Sequence, residues 1–250
     1  MPGLKSFASF RRLNKTVFFT CFVFLALMSL WVQAFLSAQA LEADSNNNYQ
    51  PISSDDLIHL KERAPKILDD LDKKVAQRND NGNSYFRRAF IYYQLQEYPR
   101  ALKDCDQALK LGLDHANVHL LRGEILFAQN KYKEALPEVQ LSIEENNSIA
   151  RAYALAAEIN NNLKEYAKAL QNSSRAIELD PNTARYYEIR ADLAYKVEQY
   201  LRCITDTTKA IELSPQSKTA YLLRSKAELA VKDPQRAKLD AEKAKELSKK

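Results

Sequence analysis

The sequence is poor in the residues that catalysis and nucleotide binding usually require. It has four glycines in 250 residues, where average usage of about 7% would give roughly seventeen. No two of them, at positions 3, 82, 112 and 123, have the spacing of a dinucleotide- or phosphate-binding loop. The three cysteines form no CxxC pair and the three histidines form no HExxH motif. We therefore expect a protein that is not an enzyme, with no catalytic residues, no cofactor and no metal.

Basic residues are too few for a nucleic-acid-binding surface. Lys and Arg number 37 against 32 Asp and Glu, for a net charge of +5. Four of these cations precede residue 16, and the first acid is Glu42. Beyond residue 40 the balance is therefore 33 against 32, whereas contact with a phosphate backbone needs a clustered basic surface. We expect no nucleic-acid partner.

An apolar segment near the amino terminus predicts a membrane helix. Residues 17–36 read VFFTCFVFLALMSLWVQAFL and contain no charge; as a helix they would be about 30 Å long, the thickness of a bilayer core. The basic tail at 1–16 precedes the segment and acidic residues follow it, so the positive-inside rule leaves the tail in the cytoplasm. The domain beyond is then extracytoplasmic, in the periplasm of a bacterium.

The same segment also fits a cleaved signal peptide. Ala38-Gln39-Ala40 follows the apolar run, and this pattern is typical of a cleavage site. Cleavage after Ala40 would release a periplasmic or secreted protein, whereas an uncleaved segment would be a single-pass signal anchor. In a eukaryotic source the segment could instead be an organellar targeting sequence.

A linker and a helical cap are predicted next. Residues 37–53 contain three consecutive asparagines and Pro51, which is typical of a flexible tether. Residues 54–81 show helical periodicity on both sides of Pro65, and we expect this proline to end or kink the helix. The prediction is a pair of amino-terminal capping helices.

From Gly82 onward the chain repeats itself every 34 residues. The five units are 82–115, 116–149, 150–183, 184–217 and 218–250. Positions 8, 20 and 27 hold small residues, while position 4 is aromatic or His and position 17 is Tyr in four units. Small residues let two helices approach closely, and neither helix can bury its face alone. We therefore expect each unit to be a helix pair that stacks on its neighbours.

This pattern resembles the tetratricopeptide repeat. The residues that carry the resemblance are Tyr85-Phe86-Arg87-Arg88-Ala89, Glu97-Tyr98-Pro99-Arg100-Ala101-Leu102 and Ala108-Leu109. The resemblance implies an all-α, right-handed solenoid of helix-turn-helix repeats, here preceded by the transmembrane or signal helix. In the fifth unit Lys238 and Lys245 replace the Leu or Ile of earlier units, which predicts a polar face on the last helix.

The resemblance also implies a binding groove along the first helices, at positions 2, 5, 9, 12 and 13. The candidate partner-binding residues are Phe86, Phe90, Tyr93, Leu120, Glu124, Phe127, Glu158, Asn161, Glu188, Asp192 and Tyr195. Aromatic side chains at one end and carboxylates along the rest predict a protein or peptide partner with an apolar end and a basic remainder. A solvated helix face would also account for the acids, and Arg151 and Arg185 would neutralise part of their charge. The Lys and Asn of the carboxylate clamp of chaperone-binding members are replaced by Phe86 and Phe90, so we expect no binding of acidic chaperone tails in that way.

Charge variation among the units predicts an ion pair inside each helix pair. Position 7 is Arg88, Arg122, Arg190 and Arg224, and position 23 is Asp104, Glu138, Asp206 and Asp240. The third unit has Ala156 and Asn172 instead, so the cation and the anion are absent together.

The function expected from the sequence is that of a non-catalytic scaffold or assembly factor, displayed on the extracytoplasmic side of a membrane and attached through residues 17–36. Two alternatives stay open. One is a soluble periplasmic chaperone that binds clients, and the other is an accessory subunit of an enzyme or secretion complex.

Overall fold

The computed structural model describes residues 54–77, 82–113 and 115–248, so the predicted tail, apolar segment and linker lie outside the described residues. Within these ranges the chain forms eleven α-helices and no strand. The helices are α1 (Ser54–Ala76), α2 (Asn83–Gln94), α3 (Tyr98–Lys110), α4 (His115–Ala128), α5 (Tyr132–Glu145), α6 (Ala150–Asn162), α7 (Tyr166–Leu179), α8 (Ala184–Lys196), α9 (Tyr200–Leu213), α10 (Lys218–Ala230) and α11 (Pro234–Leu247). None of these described helices is long and apolar enough to cross a membrane.

The helices are arranged as an all-α solenoid of stacked pairs. The two helices of each repeat pack together, and the second helix of each repeat packs on the first helix of the next. The first helices α2, α4, α6, α8 and α10 also contact one another in succession. Their side chains therefore form continuous columns along the array, and these columns position the candidate groove.

Small residues at repeat positions 8, 20 and 27 allow the close packing of each pair. Ala89, Ala101 and Ala108, which hold these positions in the first repeat, are fully buried. In the second repeat position 8 is Gly123, and a Cβ atom placed there would lie 2.5 Å from Cγ2 of Val139. The second repeat needs glycine because a β-branched residue fills the opposite side of the contact.

Each turn between the two helices of a repeat uses one residue in the left-handed region. The five residues are Gln96, Asn130, Lys164, Glu198 and Lys232, with φ between 60 and 63°. In the first repeat the N–H of Glu97 donates to the carbonyl of Tyr92 at 2.8 Å, which closes the helix end as a Schellman motif. The left-handed residue, Gln96 in the first repeat, reverses the direction of the chain, so that the second helix packs on the first.

Of the two outcomes predicted at Pro65, the helix end is wrong, because α1 runs from Ser54 to Ala76 with Pro65 inside it, and the kink stays a prediction. Ala64, next to the proline, is buried against Ile91 of α2, and Ile67 and Leu68 pack around the same contact. Proline removes one backbone hydrogen bond, and packing on α2 offsets that loss. The described cap is therefore one helix, not two.

The predicted ion pairs are present in all four repeats that carry the residues. Arg88 contacts Asp104 through two nitrogens at 2.6 and 2.7 Å, and Arg190 contacts Asp206 at 2.9 and 2.7 Å. The pair in the fifth repeat, Arg224–Asp240, is also bidentate, and the pair in the second, Arg122–Glu138, is 3.0 Å long. The acids are largely buried, so each pair fixes the two helices of its repeat.

The same arginines also join neighbouring repeats. A further nitrogen of each reaches position 25 of the preceding second helix, sixteen residues earlier in the chain. The acceptors are Asp72 at 2.6 Å, Asp106, Ser174 at 3.3 Å and Thr208 at 3.1 Å. Because Asp72 belongs to α1, that helix occupies the place of a second helix before the first repeat. We refer to this arginine arrangement as the position-7 clamp.

Candidate groove on the first helices

The eleven candidate groove residues lie on α2, α4, α6 and α8, but they are not equally accessible. Phe86 is 8% exposed, Leu120 3% and Glu124 7%. Leu120 belongs to a core cluster with residues of the third repeat. These three side chains therefore hold the array together, and a partner would meet the partly exposed residues Phe90, Tyr93, Phe127, Glu158, Asn161, Glu188, Asp192 and Tyr195.

Two of the three carboxylates at position 9 are paired with arginines of the following repeat. Nε of Arg151 donates to Oε1 of Glu124 at 2.6 Å, and Arg185 donates to Glu158. In both cases an arginine at position 2 binds the acid that precedes it by 27 residues. The sequence predicts that Arg151 and Arg185 neutralise part of this charge, but not that each arginine pairs with the acid of the preceding repeat; we call this arrangement the inter-repeat ladder.

Glu124 is the most strongly perturbed member of the ladder. Burial, opposed by Arg151 and reinforced by the nearby Glu158, raises the pKa of its carboxyl group to about 7. Tyr93 lies close enough to interact electrostatically with Glu124, and burial raises the pKa of the Tyr93 hydroxyl to about 12. The amino-terminal part of the groove therefore contains a carboxyl group that exchanges its proton near neutral pH.

The more accessible polar groups lie across the third and fourth repeats. Oδ2 of Asp192 accepts from Nζ of Lys196 at 2.6 Å and from Nδ2 of Asn161 at 3.1 Å. Lys196 also donates to Oδ1 of Asn161 at 3.0 Å, which closes a triangle of three side chains. The side chains of Asp192 and Lys196 are about 40% exposed (42% and 39%), so a ligand can reach them.

Glu188 lies beside this triangle and is held from two sides. It accepts from the hydroxyl of Ser217, the N-cap residue of α10, and its Oε2 is 3.5 Å from Nη1 of Arg185. Its side chain is only 11% exposed. Glu188 therefore contributes negative charge near the triangle while it ties the fourth repeat to the fifth.

The aromatic residues at position 12 are partly committed to packing within their own repeat. The ring centroids of Phe127 and Tyr132 are 5.5 Å apart, and those of Tyr195 and Tyr200 are also 5.5 Å apart. Tyr93 packs more loosely on Tyr98, at 6.3 Å. These rings remain partly exposed, so they offer apolar edges to a ligand from a fixed position.

The groove is close to electrically neutral. Its four carboxylates are set against three cations on the same helices: Glu124, Glu158, Glu188 and Asp192 against Arg151, Arg185 and Lys196. The sequence-level picture of one acidic wall therefore does not describe this surface. What the column offers a ligand is shape, hydrogen bonds and a small net negative charge.

The potential metal ligands of the described residues are dispersed, and their cysteines are buried. In that part of the chain no three His, Cys, Asp or Glu side chains lie close enough together to hold a metal ion. Cys105 and Cys203 are free and buried, and burial raises the pKa of each thiol to about 12. Neither thiol is a thiolate near neutral pH, so both act as small core residues.

Comparison with protein families identifies the repeats. The tetratricopeptide repeat matches residues 86–148 and again residues 150–183. Residues 86–183 therefore contain tetratricopeptide repeats, and the resemblance drawn from the sequence is confirmed for this part of the chain.

Solved structures share the fold. MamA from Desulfovibrio magneticus RS-1, residues 41 to the end, superimposes with a TM-score of 0.62 at 17% identity, covering 68% of this chain and 97% of that one. YrrB, described as a tetratricopeptide-repeat protein with an unusual peptide-binding site, gives 0.59 at 18% identity, covering 71% and 91%. The C-terminal part of a repeat protein from Cytophaga hutchinsonii gives 0.60 at 19% identity, covering 76% and 78%. No curated protein sequence matches this chain.

Proposed function

We propose that this protein is a non-catalytic scaffold that binds another protein or a peptide along its first helices. The observation that carries the proposal is the accessible part of the groove, where the Asn161–Asp192–Lys196 triangle shares α8 with the partly exposed ring of Tyr195. Such a surface has a few placed polar groups on a rigid support, which is what specific recognition needs. YrrB supports the proposal as a protein of the same fold that has a peptide-binding site.

The partner that fits this surface is a segment with apolar side chains at one end and Lys or Arg at the other. The aromatic edges of Tyr93 and Phe127 suit the apolar end. The carboxylates of Glu158, Glu188 and Asp192 suit the basic end, because only the two cations Arg185 and Lys196 offset these three acids locally. Charged groups of this kind contribute mainly to the association rate and to specificity.

Charge reversal at Asp192 tests the groove. Partners captured by carboxyl-terminally tagged protein would be identified first, and their association rates then measured with Asp192→Lys. The matched control is Glu212→Lys, since this exposed acid on α9 also pairs with a lysine in its own helix. We expect slower association and an altered salt dependence for Asp192→Lys alone. Equal rates for both folded variants would exclude the groove as the binding site.

We further propose that residues 17–36 attach the protein to a membrane, with the repeats on the extracytoplasmic side. Support comes from the charge asymmetry around the apolar segment. Alkaline phosphatase fused after Lys250 should be active in a bacterial host, and activity from a cytoplasmic reporter alone would refute this topology. The mass of the mature protein would distinguish an anchor from cleavage after Ala40.

A further inference from the structure

The first helix of the fifth repeat leaves apolar side chains exposed on the side where a following repeat would pack. Leu222 is 40% exposed, whereas Phe86, Leu120 and Ala154 at the same repeat position are 8%, 3% and 5% exposed. Leu229, at the position of Tyr93 and Phe127, is 57% exposed. In the described part of the chain no element covers this side of α10. We call the exposed set Leu222, Lys226, Leu229 and Val231 the end face.

The end face is more apolar than the outer surface of a terminal repeat normally is. A terminal repeat normally presents a polar outer surface, and α11 meets this expectation with Lys238 and Lys245, both exposed. The neighbouring α10 does not, since its exposed residues include Leu222 and Leu229, and the exposed Val231 follows directly at its C-cap. The end of the array is therefore polar on its second helix and apolar on its first.

The interior repeats show which residues of a following helix pack on the equivalent face. In the third repeat, Ala152, Leu155 and Ile159 of α6 form one cluster with Leu120 of α4. In the fourth repeat, Tyr186, Ile189 and Leu193 of α8 pack in one cluster with Ala154 and Ala157. The incoming helix thus presents apolar residues at its repeat positions 3, 6 and 10. One residue before the first of them, at position 2, Arg151 or Arg185 binds the acid at position 9 of the preceding helix.

The charge at position 9 is reversed on the end face. Glu124, Glu158 and Asp192 hold this position in the three preceding repeats, and the fifth repeat has Lys226, which is exposed. A helix that continues the array at this end should therefore carry an acidic residue where the interior helices carry arginine. We propose that the end face docks an amphipathic helix of another protein, with an acid followed by apolar residues one, four and eight positions later.

The helices of this chain fit that pattern poorly. Position 2 is Asn83 in α2, Asn117 in α4, Thr219 in α10 and arginine in α6 and α8, so none of the five first helices has an acid there. The sequence of α1 has Asp56 before Leu57, Leu60 and Ala64 at the required spacing, but Ala64 is already buried against Ile91. Continuity with the repeat interface and the sign of Lys226 together favour a partner helix over a second copy.

A pair of synthetic peptides tests the proposal with the full-length chain. One is a capped helical peptide with Glu followed by Leu at +1, +4 and +8, and the other has Lys in place of the Glu. We expect the Glu peptide to bind at least tenfold more tightly than the Lys peptide, and Lys226→Glu to reverse this preference. The double variant Leu222→Ser/Leu229→Ser should lose at least tenfold in affinity. The matched control, Leu201→Ser/Leu239→Ser, replaces two exposed leucines on second helices and should bind as the parent does.

Other outcomes would overturn the proposal. They are binding of neither peptide at millimolar concentration, equal binding by all variants, and a parent dimer that Leu229→Ser dissociates, since a dimer would place a second copy on the face. Rapid maleimide labelling of Leu229→Cys is expected, and protection would instead place another segment of the chain there. The proposal is independent of the groove, so Asp192→Lys should leave peptide binding unchanged.

Discussion

The bidentate pair between Arg190 and Asp206 allows a quantitative test of how each repeat is held together. The two contacts are 2.9 and 2.7 Å long, and the side chain of Asp206 is only 4% exposed, against 18% for Arg190. Arg190→Ala therefore leaves a buried carboxylate without its cation, which should cost about 3–5 kcal/mol of unfolding free energy. Asp206→Ala should cost less, because Arg190 keeps Ser174 and lies over the ring of Tyr187.

A double-mutant cycle isolates the interaction between the two residues. Two charge-assisted hydrogen bonds in a partly buried setting predict a coupling energy of about 2–3 kcal/mol. Urea unfolding of the four proteins supplies the free energies, provided that the m-values agree, since repeat arrays can depart from two-state behaviour. Hydrogen exchange in α8 and α9 would show whether the loss is local.

The exposed pair Lys209–Glu212 on α9 is the matched control for this cycle. Its two atoms are 3.0 Å apart and both side chains are about half exposed (45% and 59%), so its coupling should be about 0.5 kcal/mol or less. A coupling between Arg190 and Asp206 no larger than the control value would refute the reasoning. The position-7 clamp would then be a geometric coincidence of the repeat rather than a source of stability.

Three further predictions concern stability. Because the pKa of Glu124 is raised from 4.5 to about 7, the folded state keeps a proton that the unfolded state has lost. The unfolding free energy should therefore fall by roughly 3 kcal/mol, relative to Glu124→Gln, as pH rises from 4.5 to 7.5; a difference that is flat with pH would contradict this. Gly123→Ala should lower the unfolding free energy by about 1–3 kcal/mol through overpacking, despite the better helix propensity of alanine, and Val139→Ala should relieve that clash in the double variant. Glu198→Gly should stabilise by about 0.5–1 kcal/mol because φ is 61°; Asn130→Gly is the control and should change less, since asparagine tolerates this region better.

Most of the array could be predicted from the sequence because the same pattern of small and large packing residues occurs in five successive repeats. Small residues recur wherever two helices cross, and the 34-residue period puts each helix in register with its equivalents. The Arg–acid pairs were also predictable, because the third repeat lacks both partners and so indicates that they act together. The helix end predicted at Pro65 was wrong because the prediction considered only the local effect of proline and not the packing of Ala64 and its neighbours on α2.

The groove was harder to predict, because its charges interact between repeats. Considering one position at a time gives a row of acids, Glu124, Glu158 and Asp192. Their partners occupy other positions, with Arg151 and Arg185 at position 2 of the next repeat and Lys196 one turn along α8. The exposure of the candidate residues was also hard to predict. A side chain at a given repeat position is exposed in one repeat, whereas in another the following repeat buries it, as it does Leu120.

The clamp and the ladder together indicate which joint in the array is most sensitive to pH. The clamp joins the first repeat to the second through Arg122, the third to the fourth through Arg190 and the fourth to the fifth through Arg224. Between the second and third repeats position 7 is Ala156, so this joint has no clamp. Across it the ladder pair Arg151–Glu124 is present, and its carboxyl group has a pKa of about 7. Among the described joints, the one that lacks the clamp thus contains a carboxyl group that titrates near neutral pH, and hydrogen exchange there should depend on pH more strongly than elsewhere in the array.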